Sequence, residues 1–249
     1  MFVEANAIIA APSYPEGSGM SAEIVKRAEG LWTIDHPLRV GPMPVGTRTT
    51  LVGLASGEII VHSPGPLEQG LAERMASCGT VSALVAPNCF HHLFLAENAK
   101  AFPSAAVLFP PGLAERGLDL PQGETLLETA PAAWSGVLEI VAIGGAPRVG
   151  ELAFFHPASR TLILSDLVFN VRSVDGAFAR LAMRVNGMLG HFGPSRLARR
   201  LFFRDHGSLR SSVDRILEWD FDRVIMAHGE VVESGGHSLL EEAFAFLRD

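Results

Sequence analysis

The stretch VSALVAPNCFHHLFL, Val81 to Leu95, runs an uninterrupted apolar segment straight into two adjacent histidines, His91 and His92. "VSALVA" lacks the alternation of a strand wet on one side, so it reads as a strand buried on both faces. Two later apolar runs end the same way, "RTLILS" in Asp166 and "DRVIMA" in His228. In open α/β architectures, ligands bind at strand ends and at the loops leaving them. His, Asp and His delivered there by three strands form a candidate metal set. Imidazole and carboxylate together suit Zn²⁺, Fe or Mn²⁺. Taken singly, each residue also has a purely structural use: a His-Gly strand end can bond a backbone carbonyl, and an Asp can anchor a turn.

Working outward, "RTTLVGL", the turn "ASGE" and "IIVHS" read as a β-hairpin. "GPLEQGLAERMASC" has helical apolar spacing closed by Gly79, and "HLFLAENAKAF" and "AAVLFP" follow as helix and strand. "GVLEIVAIGG" and "GELAFFHPASRTLILSDLVFN" add three strands, the last two joined through "PASR". "DGAFARLAMRVNGML" is an amphipathic helix with Phe178, Leu181, Ala182, Val185, Met188 and Leu189 on one side. "SSVDRILEW", "FDRVIMAHG" and "SLLEEAFAFL" close the chain as helix, strand and helix. With no composition break from residue 31 to 249, the expectation is one layered domain, sheets inside and helices outside. The opening "MFVEANAIIAAPSYPEGSGM" is short of charge and ends in Pro, Gly and Ser, and residues 1–30 read as an N-terminal arm.

The 249 residues are 48% hydrophobic and 19% charged, material for a sizeable core, which excludes disorder. A net charge of -7 argues against a general nucleic-acid binder. The charge is unevenly distributed. Residues 171–210 hold eight arginines against Asp175 and Asp205, a balance of +6, so the remainder carries -13. That segment could be a lid or rim attracting an anionic substrate, a membrane or partner surface, or a solvated helix face. The two cysteines, Cys78 and Cys89, form no disulfide framework. With no signal peptide and no long apolar run, the expectation is a cytoplasmic protein without a transmembrane segment.

The order of "HHLF", "TLILSDLVFN" and "DRVIMAHGE", preceded by a hairpin and followed by a helix, resembles the metallo-β-lactamase superfamily. The resemblance implies an α/β (α+β) fold, a four-layer αββα sandwich. It maps Asp166 and His228 onto the superfamily's late Asp and final His ligands. Laid without gaps on the His-x-His-x-Asp-His motif, Pro87 and Cys89 replace the first two histidines, while His91 and His92 fall on its Asp and last His. Gly145 stands near the place of the middle His ligand. The first of the superfamily's two metal sites is therefore lost. His91 or His92, Asp166 and His228 can still supply a mononuclear site with an open position, with Zn expected ahead of Fe or Mn.

Two further residues are candidates for contact with a substrate. Glu151 could act as stand-in ligand or base, with His156 on the opposite strand face and structural. Asn88 could donate to a ligand or stabilise a turn as an Asx residue. Cys89 lacks a clear base, and no GxSxG motif supports a serine hydrolase. The expected function is a metal-dependent hydrolase acting on a small ester, thioester, lactone or phosphoester, with an anionic small-molecule substrate as one option. The alternative is a non-catalytic binding or interaction module on the same fold, and an iron-dependent redox protein is a third reading.

Overall fold

The computed structural model describes residues 12–13 and 22–248. Its strands are β1 (Pro12–Ser13), β2 (Ile24–Ala28), β3 (Leu31–His36), β4 (Arg39–Val40), β5 (Met43–Pro44), β6 (Thr47–Gly53), β7 (Glu58–His62), β8 (Thr80–Val85), β9 (Ala106–Phe109), β10 (Glu124–Thr125), β11 (Glu139–Ala142), β12 (Leu152–His156), β13 (Thr161–Ile163) and β14 (Arg223–Ile225). The helices are α1 (Leu71–Ala76), α2 (Leu95–Ala101), α3 (Pro111–Ala114), α4 (Ala177–Val185), α5 (Arg196–Leu201), α6 (His206–Leu217) and α7 (Gly236–Ala243).

Two sheets form the middle of the molecule. One has seven strands in the order β10-β9-β8-β7-β6-β3-β2, the other four in the order β11-β12-β13-β14, and β1-β4-β5 make a small separate ribbon. The hairpin read from "RTTLVGL" and "IIVHS" is present as antiparallel β6 and β7. "VSALVA" pairs on both edges with parallel neighbours, β7 and β9, which is why it is apolar apart from Ser82. The N-terminal boundary differs from the sequence reading. Ile24–Ala28, assigned there to an arm, pairs antiparallel with β3 as an edge strand, because its apolar residues cover the sheet margin beside Trp32. Apart from Pro12–Ser13, the rest of that arm up to residue 21 lies outside the described residues.

Three apolar layers hold the sheets and helices together. Between the sheets, Leu31, Ile60, Val85 and Leu108 of the larger one meet Leu152, Phe154, Ile163 and Ile225 of the smaller. Outside the larger sheet, Ile59, Val61 and Leu84 pack under Leu71 and Met75 of α1, Leu95 of α2 and Leu113 of α3. Outside the smaller sheet, Ala153, Leu162 and Val224 pack under Leu209, Val213 and Ile216 of α6 and Leu240 of α7. The order of layers is helices, sheet, sheet, helices, as expected. At roughly 1.5–3 kcal/mol per fully buried large aliphatic or aromatic side chain, these layers dominate the stabilisation.

Strand register then positions the loops. β13 and β14 run parallel with Ile163 opposite Ile225, so Asp166 and His228, each three residues further on, leave the sheet at the same level. In the larger sheet His62 is opposite Val85, and the loops after both strands open at the same end. Among the described residues, no helix is long and apolar enough to cross a membrane.

His36, at the end of β3, illustrates how this interior treats charge. Its Nε2 is 3.0 Å from Thr49 Oγ1, and its Nδ1 is buried without a partner. Thr49 donates to the Ser63 carbonyl and accepts from the Gly65 amide, which leaves it to accept from a neutral His36 protonated on Nε2. Burial lowers the His36 pKa to about 4, against the opposing pull of Glu68 and Asp35. The unfolded chain takes up this proton near the ordinary value of 6.5, so the stability contribution is complete above that pH. It falls by about 3 kcal/mol as the pH drops to 4. Chemical denaturation across this range should show a shallower acid-side slope for His36→Gln than for the wild type, and identical slopes would refute the assignment.

Candidate metal centre

Asn88 fixes the turn after β8. It is fully buried, and its Oδ1 accepts from the backbone N–H groups of Phe90 and His91 at 2.8 and 3.0 Å, an Asx turn that aims His91 inward. The turn is tied to the second sheet by Cys89 N–H donating to the Val149 carbonyl and Leu152 N–H to the Pro87 carbonyl, both at 2.8 Å. Glu151 does the same for the loop after β13. Its two carboxylate oxygens accept from Ser165 N–H and Asp166 N–H, each at 2.8 Å. Asn88 Nδ2 then donates to Asp166 Oδ2 at 2.8 Å, so one amide joins the two loops.

His228 is held from the opposite side. Its Nδ1 is 2.7 Å from the Gly46 carbonyl, and the Phe169 ring stacks on it with centroids 5.5 Å apart. Arg48, on β6, donates to the carbonyls of Met226 and Gly229 at 2.6 and 2.8 Å and to Asp35 at 2.6 Å, clamping the loop around His228. Gly229 has φ 96°, and a Cβ there would run into the Asn170 carbonyl, so the "HG" pair is required for this close approach.

These supports bring His91, Asp166 and His228 together, with one ligand-capable atom from each all within 4.8 Å of one another. His91 Nε2 is 3.3 Å from Asp166 Oδ2, and His228 Nε2 is 3.2 Å from Asp166 Oδ1. The far nitrogens are engaged elsewhere: His91 Nδ1 lies 2.7 Å from Ser63 Oγ. Because the Gly46 carbonyl can only accept, His228 carries its proton on Nδ1, which leaves a lone pair on Nε2 in the neutral ring. A lone pair 3.2 Å from a carboxylate oxygen needs a positive charge between or upon them. Either a proton on the imidazole or a metal ion supplies it, and this donor set fits a divalent ion.

The electrostatics follow that geometry. Burial acts to raise the Asp166 pKa, but the neighbouring His91 and His228 outweigh it and hold the carboxyl well below the usual carboxylate range. Burial acts to lower the His228 pKa, and Asp166 reverses this to a net rise. Glu151 is pushed up to about 7 by burial and then by the Asp166 charge, against the hydrogen bonds it accepts. The Asp166 side chain keeps 17% exposure, against 9% for each histidine, so the centre opens to solvent at the carboxylate.

Several expectations need correction. His92 does not join the cluster: its Nδ1 is 3.1 Å from the Cys89 carbonyl and its own carbonyl accepts from Leu95 N–H, so it starts the turn into α2. The His92 ring is thus committed to the Cys89 carbonyl, while His91 faces Asp166. Asn88 and Glu151, expected at the substrate, are 0% and 1% exposed and orient Asp166 and His91 instead. Cys89 is buried beside Gly112 and Gly150 with its thiol pKa raised by that burial, unsuited to act as a nucleophile or soft ligand. Cys78 and Cys89 are both free thiols. His156 bonds Ser159 across its turn and is structural, as expected. Gly145 has φ 75°, and a Cβ there would collide with the Asp205 carbonyl, so no ligand side chain fits. Ser63 was missed in the sequence. It follows an apolar strand with φ 54°, a conformation uncommon outside glycine that no local pattern announces.

Comparison with known proteins agrees with the architecture. The metallo-β-lactamase from Pontibacter korlensis is 13% identical, with a TM-score of 0.63 over 92% of this chain and 100% of that one. The metallo-β-lactamase FIM-1 from Pseudomonas aeruginosa, solved in a mono-zinc form, is 11% identical, with a TM-score of 0.63 over 92% and 96%. A metal-soaked Flv1 flavodiiron core from Synechocystis is 11% identical, with a TM-score of 0.63 over 92% of this chain and 61% of its own. No curated protein matches the sequence. Residues 28–191 match the family described as Domain of unknown function (DUF4336), a span that includes His91 and Asp166 and stops short of His228. The chain belongs to that family and has the metallo-β-lactamase fold.

Proposed function

We propose that the chain is a metal-dependent hydrolase whose single divalent ion, zinc ahead of iron or manganese, is held by His91, Asp166 and His228. The observation that carries this reading is the direction of the donors. Both Nε2 atoms face the Asp166 carboxylate while Ser63 and the Gly46 carbonyl occupy both Nδ1 atoms. Metal-binding imidazoles characteristically have the far nitrogen fixed in this way. When bound, such an ion supplies Lewis acidity that polarises a carbonyl or phosphoryl oxygen and lowers the pKa of water. The chain's own contribution is orientation: Asn88 and Glu151 set the carboxylate, and Ser63 and Gly46 set the rings.

The exposed edge of Asp166 is where a small ester, thioester, lactone or phosphoester would reach the centre. The nearby arginine-rich segment favours an anionic one. A non-catalytic binding module would keep the fold without needing the three donors to converge, so the convergence favours the hydrolase reading. The domain taken to carry this activity spans residues 31–249, with the edge strand β2 added at its N-terminal side.

Protein purified without chelator should carry about one equivalent of metal per chain by elemental analysis, and Asp166→Ala or His228→Ala should lose it. No bound metal after reconstitution with Zn²⁺, Fe²⁺ and Mn²⁺ would overturn the proposal in favour of the binding module. With metal present, hydrolysis of activated esters, thioesters, lactones or phosphoesters should disappear on chelation and return on adding the ion. Ser63→Gly removes the hydroxyl yet suits φ 54°, so it should fold normally while weakening metal affinity about tenfold to a hundredfold. Unchanged affinity, measured by competition with a chelating dye, would remove Ser63 from the metal's support.

A further inference from the structure

Helix α4 turns a hydrophobic face to water. Phe178, Leu181 and Val185 are 67%, 63% and 61% exposed, and their spacing of three and four places them on one side. Ala179 and Met183 make the inward contacts instead. This departs from the usual reading of an amphipathic helix, whose apolar stripe enters the core. Leu197 on α5, 43% exposed, is fastened beside them. Its N–H donates to Asn186 Oδ1 at 2.9 Å, and the neighbouring Arg196 guanidinium donates to the Val185 carbonyl at 3.0 Å. Four of the six large hydrophobic residues exposed among the described residues therefore lie in this one region. Singly scattered apolar residues are ordinary on a surface, whereas a cluster marks a contact site.

Charge indicates what meets it. Arg180 and Arg184 follow on α4 between the exposed apolar stripe and the inward face, and Arg172, Arg200 and Arg204 are exposed on the adjoining segments. None of these five takes part in a salt bridge among the described residues. Of the two local carboxylates, Asp205 is spent capping α6 through Ser208, which leaves Asp175 alone. We infer that the α4–α5 face docks onto an anionic lipid surface, with Phe178, Leu181 and Val185 entering the headgroup boundary and the arginines meeting anionic headgroups.

A helix with apolar and arginine stripes side by side has the composition of an interfacial anchor. A second copy presenting the same face would set arginine against arginine. A nucleic acid would satisfy the arginines but offer the apolar side chains no dry partner. The position is also suggestive: Met183 of α4 packs with Phe169 and Val171, and Phe169 is the ring stacked on His228. Docking would thus hold the candidate centre beside the lipid surface, although the inference stands without the metal reading.

The test is co-sedimentation of the full chain with vesicles of phosphatidylcholine, with and without phosphatidylserine, over a range of salt. Binding should require phosphatidylserine and weaken as salt rises. Joint replacement of Phe178, Leu181 and Val185 by Ser should abolish binding without shifting thermal unfolding, since all three side chains are exposed. Joint Arg180→Gln and Arg184→Gln should weaken it roughly thirtyfold, at about 1 kcal/mol per arginine. No binding to phosphatidylserine vesicles at low salt, or undiminished binding by both variants, would overturn the inference. So would self-association, seen by analytical ultracentrifugation, that the serine variant abolishes, because the face would then belong to a second copy.

Discussion

The Asp166 carboxylate stands between two imidazoles whose far nitrogens are engaged from behind, and that arrangement sets the terms for everything around it. A largely buried carboxylate needs compensation, and breaking such a cluster by removing one partner typically costs 3–5 kcal/mol. Here the compensation comes from two distant parts of the chain: His91 and the Asn88 amide in the loop after β8, and His228 after β14. The loops can hold these positions because their strands fix the level at which each loop leaves its sheet.

The support extends well beyond the cluster. Glu151 lies beneath the Asp166 loop and accepts two of its backbone N–H groups, while Arg48 reaches from the larger sheet to the loop carrying His228. Each is a buried or nearly buried ionisable group, costly in isolation and used here to position backbone. Much of the buried polar material gathers at one end of the sandwich, while the clusters between and outside the sheets are apolar. That division lets a polar centre exist without compromising the layers that stabilise the fold.

The fold was legible wherever residue pattern reflects burial. "VSALVA" is apolar but for Ser82 because it has neighbours on both sides and layers on both faces, and "RTTLVGL" with "IIVHS" read correctly as a hairpin. Reading failed where the same pattern serves another environment. Ile24–Ala28 looked like an arm but completes a sheet edge, and the spacing of the α4 stripe could not by itself say whether it meets the core or, as it does, water. In the centre, Asp166 and His228 stood out because each follows an apolar strand, whereas His91 and His92 could not be separated. Only the Asx turn at Asn88 decides that His91 points inward while His92 bonds the Cys89 carbonyl.

By itself, the sequence determined the order of the principal strands and helices, the layered class of the fold and the chemical types able to converge at the strand ends. These depend on local periodicity and on short-range residue chemistry. Tertiary structure alone decided which histidine joins Asp166, that Glu151 and Asn88 orient neighbouring groups, and that Ser63 and Gly46 fix the rings. These outcomes depend on register between strands far apart in the chain. A shift of one residue in β13 against β14 would leave every local pattern intact and carry Asp166 away from His228.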